Sequence, residues 1–153
     1  NSKWINVSQI QRTWEQMTLA YNYGVRKLWV VNVGDLKGQE YPLSYFMDLA
    51  WNPEQSLEEM EGYTKNWVEK QLGGNYINDA SKLLAAYSKL NMTISPELLD
   101  KDTFSLEIDY EFERILANYR DLSNQAGQLF VLMPEEYRQV YEQLIYFFQA
   151  YKL

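Results

Sequence analysis

One run of seven residues, Lys27 to Val33 (KLWVVNV), constrains the fold more than any other stretch of the chain. It is apolar, rich in β-branched side chains and closed by Gly34-Asp35, so it reads as a strand buried on both faces, as in a parallel sheet. No second run of similar quality follows. A strand cannot satisfy its own backbone N–H and C=O groups, so this one is expected to pair with strands outside the 153 residues. The alternative is a lone extended segment buried between helices.

Helical spacing flanks the run on both sides. Val7, Ile10, Trp14, Met17 and Tyr21 recur at steps of three and four and predict a helix over 5–23. Asn6 and Gln9 are spaced for a capping box, and Gly24 stands where a left-handed C-terminal cap belongs. Pro42 to Trp51 resumes the spacing, with Pro42 in the first turn and Asn52-Pro53 as the stop. The order helix, strand, helix matches the last repeat of an α/β barrel or open sheet.

Beyond Pro53 the pattern is helical throughout. Ser56 and Glu59 form a capping box ahead of a face made by Leu57, Met60, Thr64, Trp67 and Val68, which ends before Gly73-Gly74. Asn78 is expected to cap a helix with Leu83, Leu84, Tyr87 and Leu90 inward, running to about Asn91. Ser95-Pro96 opens a short turn, and the alternating stretch 103–110 is read as a loop entering a long helix. That helix carries Phe112, Ile115, Leu116, Tyr119, Leu122, Ala126, Leu129 and Met133 on one face. Pro134 breaks it and starts another, with Tyr137, Val140, Tyr141, Leu144, Phe147, Phe148 and Tyr151 inward. Three or four long helices with short links make a bundle. The expected fold is mainly α: an α/β remnant over 1–52 followed by a helical bundle over 53–153.

Composition narrows the chemistry. Fourteen Lys plus Arg against 21 Asp plus Glu leave a net charge of −7, which disfavours nucleic acid and anionic membrane surfaces as partners. There is no His and no Cys, so a Ser-His-Asp triad, a His metal site, a thiolate nucleophile and a disulfide are all excluded. Carboxylate, Lys or Tyr chemistry is left, or none, and no cofactor or metal is expected. No apolar run reaches the roughly 18 residues of a membrane span. Without an initiator Met or a signal peptide at Asn1, the chain is expected to be a mature product or an excised piece.

Candidate functional residues gather at the carboxyl end of the predicted strand, where parallel α/β folds place theirs: Asn32, Asp35 and Lys37. Asn32 is suited to hydrogen-bonding a polar ligand and Asp35 to acting as a carboxylate partner. Gly34-Asp35 is equally ordinary turn chemistry, with Asp35 bonding its own loop and Lys37 solvated. The pairs Glu58-Glu59, Asp100 with Asp102, Glu111 with Glu113, and Glu135-Glu136 flank inward positions on predicted helices or their first turns. Solvation and the helix dipole explain them better than glycosidase chemistry does. Trp14, Trp67, Tyr119, Phe147 and Phe148 fall at packing positions, which leaves Trp4, Trp29 and Trp51 as the aromatics to test for exposure. Asn6-Val7-Ser8 and Asn91-Met92-Thr93 match a glycosylation pattern short enough to occur by chance.

The residues also carry a resemblance. WEQMTLAYNYGVRKLWVVNVGDLKGQEYPLSYFMDLAWNPE (Trp14 to Glu54) closely resembles glycoside hydrolase family 115, the xylan α-glucuronidases. LMPEEYRQVYEQLIYFFQAYK (Leu132 to Lys152) is similar to a segment near the end of that family's helical domain, although YFFQAYK departs from its usual small-residue ending. SPELL (Ser95 to Leu99) matches an internal motif.

The resemblance implies that residues 1–52 are the final helix, strand and helix of a (β/α)8 catalytic barrel, with the helical bundle behind it. It implies an inverting enzyme that removes glucuronic acid, or its 4-O-methyl form, from glucuronoxylan. Inversion needs an acid and a base carboxyl about 6.5–9.5 Å apart, and by chain order both would lie upstream of Asn1. Asn32 is then the substrate-contacting residue and Asp35 a loop-orienting carboxylate, with Lys3 and Trp4 where the chain leaves the preceding strand. The family suggests a bacterial plant-polysaccharide degrader and a periplasmic or extracellular site. Two readings follow: a fragment of an α-glucuronidase, inactive alone and prone to self-association through Leu28 to Val33 or the neighbouring helices, or a free-standing helical interaction module whose aromatic-rich face binds a protein or another copy of itself.

Overall fold

The computed structural model describes residues 6–34, 36–74, 76–92, 103 and 110–145. These form six helices: α1 (Ile10–Asn22), α2 (Glu40–Trp51), α3 (Leu57–Leu72), α4 (Ile77–Asn91), α5 (Glu111–Leu132) and α6 (Glu135–Leu144). The expected turn at Ser95-Pro96, the stretch 104–109 and the aromatic positions Phe147, Phe148 and Tyr151 lie outside the described residues.

The chain is a helical bundle, and among the described residues there is no strand. The run 27–33 therefore departs from its sequence reading as a strand, and equally from a buried extended segment. It has no hydrogen-bonded ladder, and Leu28 and Val30 are 75% and 81% exposed. The cause lies in the backbone. With no adjacent strand to take up its N–H and C=O groups, the segment follows an irregular path that exposes Val30 and Val31 and leaves Val33 half-buried.

Local signals set several helix ends. The Ser56 hydroxyl accepts from the Glu59 N–H at 3.2 Å while the Glu59 carboxylate accepts from the Ser56 N–H at 2.7 Å, closing the expected capping box at the start of α3. Gly24 closes α1 at φ +94°, and its N–H donates to the Tyr21 carbonyl. Gly73 ends α3 at φ +67°, where a Cβ would stand 2.8 Å from the Tyr137 hydroxyl, so the absence of a side chain lets α6 approach. Pro134 separates α5 from α6 as predicted.

Two caps differ from expectation. Gln9, not Asn6, is the N-cap of α1, and it makes no side-chain capping bond. Asn6 is instead buried, at φ +45°, and bonds to distant segments. Asn78 falls inside the first turn of α4, which follows a left-handed Tyr76.

Among the described residues one core joins the helices. Val7, Ile10, Tyr41, Tyr45 and Leu49 pack with Met60, Trp67, Val68 and Leu72 of α3 and with Leu83, Leu84 and Tyr87 of α4. Ala126, Leu129, Met133, Tyr141 and Leu144 close it from α5 and α6. Each fully buried aliphatic or aromatic side chain contributes about 1.5–3 kcal/mol. Helix α3 packs on α4, α4 on α5, and α1 on both α2 and α3. The described inward positions predicted beyond Pro53 and in α1 are buried or half-buried, except that Leu57 is 52% and Phe112 is 39% exposed.

Candidate functional site

The segment between α1 and α2 is held by aromatic contacts. Trp29 sits edge-on to Tyr21 of α1, with centroids 6.5 Å apart, and lies 6.2 Å from Phe46 of α2. Its indole N–H donates to the Val25 carbonyl at 2.7 Å. The Arg26 guanidinium lies 4.5 Å from the Tyr21 ring centre, a cation–π contact on the same helix end. Trp29 thus wedges the segment against both helices, and the residues after it turn toward the start of α2.

A cleft of about 150 Å³ opens there, lined by Ser8, Thr13, Asn32, Gln39, Leu43 and Phe46, with Val31, Val33 and Pro42 completing it. Asn32, the substrate-contacting candidate, is therefore at a cleft, exposed beside half-buried Val33. The volume is below the roughly 300–1,000 Å³ of drug-sized ligand sites, so the cleft has room for the edge of such a ligand and not for the whole of one. Among the described residues its polar groups are hydroxyls and carboxamides, and none of the described lining side chains is ionisable. These hydroxyl and carboxamide groups can donate and accept hydrogen bonds but do not themselves titrate near neutral pH.

Asp35, Lys3 and Trp4 lie outside the described residues, so only Asn32 of the four sequence candidates is located. Lys37, three residues beyond Gly34, is exposed. Thr13, Gln39, Leu43 and Phe46 were not singled out in the sequence; Thr13 lies off the inward stripe of its helix, and no local pattern marks a residue that meets a loop from another segment. Of the three tryptophans to be tested for exposure, Trp51 is 91% exposed and Trp29 packs on the core.

The other chemistry left open by composition was tyrosine. Tyr41, Tyr45 and Tyr63 form a cluster, with Tyr45 and Tyr63 edge to face at 4.8 Å and Tyr41 edge-on to Trp67 at 5.3 Å. Burial pushes the Tyr41 hydroxyl up to about 12, partly offset by its 2.6 Å hydrogen bond with Thr64. Burial likewise raises Tyr45 and Tyr63, and Tyr63 is raised further by donating to the Asp48 carboxylate at 2.8 Å. All three stay protonated at neutral pH and serve as packing. The acidic pairs sit at helix starts, with Glu58-Glu59, Glu111 with Glu113, and Glu135-Glu136 in the first turns of α3, α5 and α6. Their placement complements the helix dipole. Both Asn residues of the glycosylation patterns are buried, Asn6 at 1% and Asn91 at 4% exposure, so neither side chain is accessible for modification in the folded chain.

Comparison with known proteins adds a lineage to this geometry. The sequence model of glycosyl hydrolase family 115 matches residues 1–98, a span that takes in the cleft, α1 to α4 and the capping box of α3. No curated protein matches the chain.

Proposed function

The chain belongs to glycosyl hydrolase family 115, and on that footing we propose that it is part of an α-glucuronidase-like enzyme that removes glucuronic acid, or its 4-O-methyl form, from glucuronoxylan. Residues 1–52 form the end of the catalytic barrel and residues 53–153 the helical domain behind it. The chain supplies scaffold and one edge of the sugar pocket. Asn32 contacts the substrate and Asp35 orients the loop, and Lys3 and Trp4, where the chain leaves the preceding barrel strand, are the further substrate-binding candidates.

The observation that carries this reading is the lining of the cleft. Hydroxyl and carboxamide groups over an apolar floor suit sugar hydroxyls. An inverting mechanism also needs two carboxyl groups across the scissile bond, and the rest of the parent enzyme supplies them. The chain alone is accordingly inactive. Incubation with 4-O-methylglucuronoxylan should release no uronic acid above the buffer blank. Turnover at the roughly 1–10³ per second of ordinary enzymes would overturn the claim of inactivity. In the longer enzyme, Asn32→Ala should slow uronic acid release about tenfold, the worth of one substrate hydrogen bond; an unchanged rate removes Asn32 from the pocket.

The exposed Leu28, Val30 and Val31 favour a second reading for the isolated chain, as a module that binds another copy of itself. Two copies would pair through residues 28–33, edge to edge.

A further inference from the structure

Asn6 holds three segments together. Its N–H donates to the Gly38 carbonyl at 2.6 Å, and its side-chain oxygen accepts from the Tyr41 N–H at 3.3 Å. Its own carbonyl accepts from the Ser88 hydroxyl of α4 at 2.8 Å. Tyr41 is the second residue of α2, whose N-cap Gln39 makes no side-chain capping bond. Asn6 therefore caps α2 from 35 residues away, satisfying a donor that local sequence leaves open. The Gly38 peptide is pinned on its other side too, since its N–H donates to the Glu40 carboxylate at 2.6 Å.

The position of this pin matters because of what lies beside it. Ser8 of the cleft is two residues after Asn6, and Gln39 of the cleft follows Gly38 directly. We propose that Asn6 is the positioning residue of the cleft: through Gly38 and Tyr41 it fixes the loop that follows Asn32, and through Ser88 it fastens that loop to the helical bundle. This rests on the glycosidase reading only for the identity of the ligand. The backbone at φ +45° restricts the position to Asn, Asp or Gly. The side chain uses its oxygen alone, because its Nδ2 is buried with no hydrogen-bond partner. An Asp at this position keeps every bond the side chain makes.

Amide hydrogen exchange and chemical shifts on the 153-residue chain provide the test, with no sugar and no activity required. Asn6→Gly keeps the backbone and loses the cap; it should speed exchange at Tyr41 roughly two- to thirtyfold, the range of a lost helix cap, and shift the Asn32 and Val33 amides. Asn6→Asp should restore the exchange rate and the shifts. Ser88→Ala, which leaves Asn6 intact, should move the Asn32 and Val33 amides and serves if Asn6→Gly does not fold. Unchanged Tyr41 exchange in Asn6→Gly, or an Asn6→Asp that behaves as Asn6→Gly, would overturn the proposal, as would Ser88→Ala with unmoved Asn32 and Val33. Loss of the hydrolase reading alone would leave all these readouts standing, and their failure would leave that reading standing.

Discussion

The bundle made by α3 to α6 and the cleft between α1 and α2 are built by different rules. In the bundle, side chains spaced at three and four residues point to a shared core, and helix ends are set by neighbours in sequence, as Ser56 and Glu59 show. Around the cleft, Leu28 and Val30 face solvent, and the packing of Trp29 on Tyr21 and Phe46 is joined by contacts 35 to 82 residues apart: Asn6 with Tyr41, Trp14 with the Gln55 carbonyl, Ser88 with Asn6. A region held by distant bonds in this way is specified by its surroundings rather than by its own composition.

The largest expected effect separates the two regions directly. Leu84 is fully buried in α4, so Leu84→Ala should cost about 2–5 kcal/mol in urea unfolding. Leu28 is 75% exposed, so Leu28→Ala should change stability by less than about 0.5 kcal/mol. Similar losses at both positions would mean that the cleft segment is as much core as α4.

Next in size is a pH effect at the junction of the regions. The Tyr41 hydroxyl is raised from 10.0 to about 12 by burial. Between those values the unfolded chain has released a proton that the folded chain retains, so stability falls as pH rises through this window and is fully present below it. Two pKa units correspond to about 3 kcal/mol from this one group. Tyr45 and Tyr63 shift in the same direction. Urea midpoints taken across the alkaline range should show the decline, and Tyr41→Phe should shallow it. A flat profile would show that the tyrosine cluster is wetter than its packing indicates.

How much of this was legible in the sequence follows the same division. Met60, Thr64, Trp67 and Val68 announce a buried face because helical periodicity is local, and the Ser56 box and the Pro134 break are local as well. The run 27–33 forms no ladder among the described residues because apolar β-branched residues make a strand only where a neighbouring strand receives them, and its expected partners lie outside this sequence. Asn6 is more instructive. Its spacing from Gln9 fits a cap for the following helix, yet a left-handed backbone turns its side chain to the start of another helix. Of the cleft, Asn32 was readable as a strand-end polar residue, whereas Thr13 and Gln39 join it only through the path of the loop.

Two smaller effects, each about 1 kcal/mol and of opposite sign, sharpen the contrast between local and distant control. Ser56→Ala removes the α3 capping box and should destabilise by about 1 kcal/mol. Tyr45→Phe should stabilise by about 1 kcal/mol, because its hydroxyl is buried without a partner while its ring contact with Tyr63 is retained. Thermal melts of the two variants in one buffer would resolve them, and a destabilised Tyr45→Phe would reveal a hydrogen bond to a buried water.

The smallest effect on stability carries the sharpest consequence for association. Val31 is 41% exposed on an irregular segment, so Val31→Lys should alter folding by less than about 0.5 kcal/mol. If two copies pair through residues 28–33, that same change places like charges across the pair and interrupts its apolar contact, since a lysine on an exposed edge opposes pairing. Size-exclusion chromatography with light scattering should then show a dimer for the unaltered chain and a monomer for the variant, with melts that coincide at concentrations low enough to dissociate the dimer. A monomer in both cases ends the self-association reading, and the exposed valines are then the surface that the remainder of a hydrolase barrel covers.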